Sequence, residues 1–140
     1  MTPINALGAA LKAEYAAVYL YGLIAGRASR GGKPAEIAHL TSLYAAHQLR
    51  RDQLIAFLNA AKVTPPVPAV AYTPPIDPVS LSTRTACARQ IEVRCEAVYA
   101  QLVAATTGSQ RAFAINALSA AGTAAAGLGQ RPTAFPGLAL

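Results

Sequence analysis

The sequence predicts an all-α protein: a four-helix bundle made of two antiparallel helical hairpins joined by one long, proline-rich crossover. Three observations lead there. Glycine and proline fall in a few clusters that leave four long segments between them. Alanine, the strongest helix former, makes up about a quarter of the chain. No stretch alternates apolar and polar residues with the period of two that a half-buried strand requires.

The first helix is expected from about Ile4 to Ser29, with no proline after Pro3, and Arg30-Gly31-Gly32-Lys33-Pro34 forms a turn. Residues 35–62 contain neither glycine nor proline and form the second helix. Val63 to Pro78 holds six prolines and forms the crossover. The third helix runs from Val79 to Thr107, Gly108-Ser109 is a turn, and the fourth helix runs from Gln110 to about Gly127. A tail follows at about 130–140. The two short turns make their flanking helices antiparallel neighbours. Extended at about 3.1 Å per residue, the crossover reaches roughly 50 Å, more than the roughly 42 Å of the second helix, so the second and third helices can run parallel. The alternative is two hairpins on a flexible tether. Tyr72 and Val70 are candidates to dock the crossover. With 140 residues, a single domain spanning 1–140 is expected.

Composition excludes several classes. Hydrophobic residues are 54% and charged residues 13%, too apolar for a disordered chain. No apolar run of about 20 residues is free of charge, so no membrane span is expected. Cys87 and Cys95 lie eight residues apart, roughly 12 Å along one helix, and cannot pair with each other. Reduced packing thiols, and a start in which Lys12 and Glu14 interrupt any signal-like apolar run, point to the cytoplasm. The net charge of +6 raises nucleic acid as a partner. Its distribution argues against one: Arg84, Arg89 and Arg94 point in three directions, and no aromatic residue interleaves with the Arg27, Arg30 and Lys33 cluster.

The informative residues are charges on apolar faces. The first helix is expected to bury Ile4, Leu7, Leu11, Val18, Gly22 and Ala25, and Glu14 lies on that stripe. The second buries Leu40, Leu43, Leu54 and Leu58, with His47 and Arg51 on the same face. Folding the hairpin at Gly31-Gly32 brings Glu14 level with them. The third buries Ala88, Ile91, Cys95, Val98 and Leu102, with Glu92 at the flank and Glu96 further round. On the fourth, Asn116, Ser119 and Thr123 share a side among small residues. A buried carboxylate must be paired, protonated or metal-bound. One reading is a buried network of Glu14, Tyr44, His47 and Arg51 that needs no cofactor, since Arg51 supplies the cation. The other is a site for Fe, Mn or Zn formed by Glu14, His47, Glu92 and Glu96. No nucleotide-binding or nucleophile motif is present, which points away from an enzyme.

The segments Ala13-Glu14-Tyr15-Ala16-Ala17-Val18-Tyr19 and Ala46-His47-Gln48-Leu49-Arg50-Arg51-Asp52, the crossover and Thr133-Ala134-Phe135-Pro136-Gly137-Leu138 resemble the ferritin-like superfamily. More narrowly, they resemble an actinobacterial ferritin-like family of uncharacterised function. Iron-binding members carry a Glu on each of two helices and Glu-x-x-His on the other two. Glu14 matches the first Glu, Glu92 or Glu96 the second, and Tyr44-Ala45-Ala46-His47 keeps only the His of its motif. Asn116-Ala117-Leu118-Ser119 keeps neither ligand. The resemblance therefore implies a degenerate di-iron site in a non-catalytic assembly or interaction protein, or else a metal- or small-ligand-binding protein.

The first helix is apolar beyond its bundle stripe, at Leu20, Leu23 and Ile24. That second face is expected to form a homodimer, or to be covered by the crossover or tail; an unidentified protein partner is also possible.

Overall fold

The computed structural model describes residues 1–138, so the last two residues of the tail lie outside the described residues. Four helices follow one another: α1 (Pro3–Ala28), α2 (Pro34–Ala60), α3 (Leu81–Ala105) and α4 (Gly108–Gly127). Among the described residues there is no strand.

The helix starts follow local chemistry. Thr2 accepts the Asn5 amide at the head of α1, with Pro3 in the first turn, where its missing N–H costs nothing. Pro34 has the same role in α2. Ser80 and Thr83 form a reciprocal capping box at α3. Gly108 opens α4 rather than ending a turn, leaving Thr106 and Thr107 as the whole connection.

Side-chain contacts give the directions. Glu14 of α1 meets Tyr99 of α3 while Tyr21 meets Glu92, so α1 and α3 are antiparallel. Tyr99 faces Phe113 while Arg89 reaches Leu128, just past the end of α4, so α3 and α4 are antiparallel. Both α2 and α3 oppose α1 and therefore run parallel to each other, as the long crossover allows. The pairs α1–α2, α1–α3 and α3–α4 pack closely, whereas α2 and α4 do not. Ala114, Ala117, Ala121 and Ala125 make the buried face of α4, small enough for close approach.

The crossover is docked, not a tether. Tyr72 packs on Tyr19 with ring centroids 5.6 Å apart, Ile76 reaches the core, and Asp77 pairs with Arg27 at 2.6 Å. Val70 is fully exposed and takes no part. Arg84 and Glu36 join the starts of α3 and α2 through two hydrogen bonds, at 2.6 and 3.2 Å.

The buried stripe of α1 is rotated from the expected one. After Glu14 it continues through Ala17, Tyr21, Ile24 and Ala28, leaving Val18 and Ala25 half-buried and Gly22 exposed. The spacing of three and four residues is simply continued from Glu14, because the Tyr21 hydroxyl finds a buried acceptor and need not point outward. Leu20 and Ile24, expected on a free second face, belong to the core that Tyr72 and Ile76 cover. Only Leu23 of that trio remains half-buried. No helix among the described residues is long and apolar enough to cross a membrane.

Candidate functional site

At mid-bundle, three helices each direct a charged side chain inward. Glu14, His47 and Glu92 are all completely buried. His47 Nδ1 lies 2.6 Å from Glu14 Oε2, and its Nε2 lies 3.0 Å from Glu92 Oε1. With a carboxylate oxygen against each ring nitrogen, the imidazolium donates to both. Two tyrosines complete the cluster. Tyr99 donates to Glu14 Oε1, and Tyr21 donates to Glu92 Oε1 at 2.6 Å while stacking on the His47 ring. The second oxygen of Glu92, Oε2, is buried without a hydrogen-bond partner.

Electrostatics follow from this arrangement. Burial alone would lower the pKa of His47; hydrogen bonds to Glu14 and Glu92, with their charges, outweigh it and raise it to about 9. Burial and the facing carboxylates push Tyr21 and Tyr99 well above the usual phenol range. Burial, then Glu14 and Glu92, likewise raise Cys95, so it stays a thiol. The cluster is therefore two carboxylates and one imidazolium inside neutral donors.

The expected residues separate clearly. Glu14, His47 and Glu92 come together. Glu96, one turn along from Glu92, faces a different space: a cavity of about 320 Å³ between α3, α4 and the tail. Tyr44 is half-buried beside Gly22 and makes no hydrogen bond to the cluster. Arg51 is not the internal cation. It pairs with Asp52 at 2.8 Å and sits near Tyr15 and Tyr44 at the outer α1–α2 seam. The neighbouring Arg50, on the α4 side of α2, is the arginine whose charge acts on Tyr21, Cys95 and Tyr99. Sequence reasoning missed Tyr21, Tyr99 and Arg50. Tyr21 lies seven residues after Glu14 and Tyr99 seven after Glu92, a two-turn spacing that could have found both.

Donor atoms of Glu14, His47 and Cys95 lie within 4.8 Å of one another, an oxygen, nitrogen and sulfur set that could hold one ion. A di-iron centre does not fit these residues. Asn116 and Ser119 are exposed on α4 and Glu96 faces elsewhere, so the carboxylates that bridge and flank two ions are missing.

A family model described as a domain of unknown function (DUF4439) matches residues 6–140. The crystal structure of a conserved hypothetical protein, rv2844, from Mycobacterium tuberculosis superposes with a TM-score of 0.81 at 28% identity, covering 94% of this chain and 95% of that one. No curated protein matches the chain.

Proposed function

The chain belongs to the family of the domain of unknown function DUF4439, and from that premise we propose a ferritin-like bundle that has kept inward-facing acids but lost the di-iron centre. In this reading residues 1–140 form one domain that acts as a non-catalytic assembly or interaction protein in the cytoplasm. Glu14, His47 and Glu92 serve as an ionic clasp that fixes the register of α1, α2 and α3.

One observation carries the reading: both ring nitrogens of His47 face carboxylates, so the cluster contains its own cation. A metal would have to displace a proton that the surroundings hold up to pH about 9. Register-fixing is the best-attested use of buried polar groups. The test is metal analysis of the protein as purified, beside Glu14→Ala. Substoichiometric Fe, Mn and Zn in both is expected. A stoichiometric metal that the variant loses would overturn the reading.

A second reading, a mononuclear metal-binding protein, is favoured by the compact Glu14, His47 and Cys95 set and the unpartnered Glu92 Oε2. It predicts the opposite result in the same experiment. Under it, Cys95 must ionise as the ion enters, so apparent affinity would rise steeply with pH.

A further inference from the structure

Five arginines are more than half-buried, and four of them have an oxygen partner: Arg27 on Asp77, Arg51 on Asp52, Arg84 on Glu36 and Arg89 on the Leu128 carbonyl. Among the described residues the fifth, Arg50, has none, and its Nη1 is buried without a hydrogen bond. A guanidinium withdrawn from water without a counter-ion is costly. The Glu14–His47–Glu92 cluster makes no direct ion pair with it: among the described residues no carboxylate oxygen lies within 4.0 Å of Arg50.

Arg50 also lines a groove of about 630 Å³ between α2 and α4, the two neighbouring helices that do not pack closely. Leu43, Ala120 and Ala124 give it apolar walls, and Asn116, Ser119 and Thr123 add neutral polar groups. No acidic residue lines it, and Arg50 is its one permanent charge. Phe57 and Phe113, in edge contact at 5.5 Å, close the seam about two turns beyond Arg50. The volume lies within the range of small-molecule sites, about 300–1,000 Å³, and one charged anchor in an apolar cleft is their usual construction.

We propose that the α2–α4 groove binds a free, single-chain amphipathic carboxylate, its head on the Arg50 guanidinium and its chain along Leu43, Ala120 and Ala124. Charge complementarity selects the head, since the planar guanidinium matches a carboxylate with two parallel hydrogen bonds. The small side chains of α4 leave room for the chain.

The test is calorimetric titration of the full chain with decanoate below its micelle concentration, beside decanol and decyltrimethylammonium. Saturable one-to-one binding of decanoate is expected, at least tenfold tighter than decanol, with none for the cation. Arg50→Gln should weaken decanoate at least tenfold. Ala120→Phe, at an exposed position that fills the groove, should abolish binding and decides the matter if Arg50→Gln does not fold. Absence of saturable binding, equal affinity for decanol or the cation, or binding unaffected by Ala120→Phe would overturn the proposal.

Discussion

His47 Nδ1 and Glu14 Oε2 stand 2.6 Å apart in the middle of the bundle, on two helices joined by a tight turn and both without solvent exposure. Breaking a buried pair leaves its partner charged in a low-dielectric site, and such losses run about 3–5 kcal/mol. Glu14→Gln should therefore lower stability by about that amount. It also takes the charged acceptor from Tyr99. Urea denaturation measures it, and a loss below about 1 kcal/mol would show that the pair contributes little.

The same pair sets a pH dependence. The folded pKa of His47, about 9, lies above its ordinary value of 6.5. A group raised on folding gives its full stabilisation below the unfolded pKa and loses it as pH rises through the folded one. Stability should fall between pH 6.5 and 9 by about 3 kcal/mol in all, with a slope near 1.4 kcal/mol per unit at pH 7–8. Tyr21 and Tyr99 stay neutral throughout. Cys87 and Cys95, raised by burial, add to the loss only above about pH 8.5, where unfolded thiols ionise. Urea midpoints at pH 6.5, 7.2 and 8.0 test this, and a flat profile would mean that His47 is neutral when folded.

Much of the fold was legible because glycine and proline mark the connections and their lengths decide the directions. Glu14 and His47 were legible for a different reason: a charge on an apolar stripe is conspicuous. Arg50 was not, because neighbouring helical residues differ by about 100°, and which flank of α2 meets α1 or α4 depends on how the whole bundle is wound. Tyr21 and Tyr99 stayed hidden because a tyrosine on a core stripe reads as packing until its hydroxyl has an acceptor on another helix. The burial of Leu20 and Ile24 depended on where the crossover lies, which local periodicity does not encode.

The two tyrosines should not be equivalent. Each donates to a buried carboxylate, a bond worth about 1.5–3 kcal/mol. Tyr99→Phe leaves Glu14 with His47 on Oε2 alone and its Oε1 without a partner. Glu92 differs, with Oε2 unpartnered and both donors on Oε1. Tyr21→Phe leaves it with His47 alone, at 3.0 Å. Tyr99→Phe strands a buried oxygen that Tyr21→Phe does not, so Tyr99→Phe should cost more, both within about 1–3 kcal/mol. Equal losses in urea denaturation would mean that Glu14 Oε1 finds another donor once the Tyr99 hydroxyl is gone.

Gly137 offers a test of how the tail is held. Its φ of +77° lies in the left-handed region, and a Cβ there would strike the backbone of Glu96 and Ala97. Gly137→Ala cannot keep the tail in place without shifting α3, so the tail should release instead. The cost is then capped by what docking contributes. That is small, because Phe135 and Leu138 are more than half exposed, and the contacts are Pro136 beside Gly122 and the Gly137 N–H on Glu96. Global stability should fall by about 1 kcal/mol or less, in the range of ordinary surface changes. Proteinase K cleavage within residues 130–138 of the folded protein should nevertheless accelerate several-fold, since a released segment reaches a protease far more readily than a docked one. A large fall in the urea midpoint with unchanged cleavage would show the reverse: that the tail stays docked and α3 absorbs the strain.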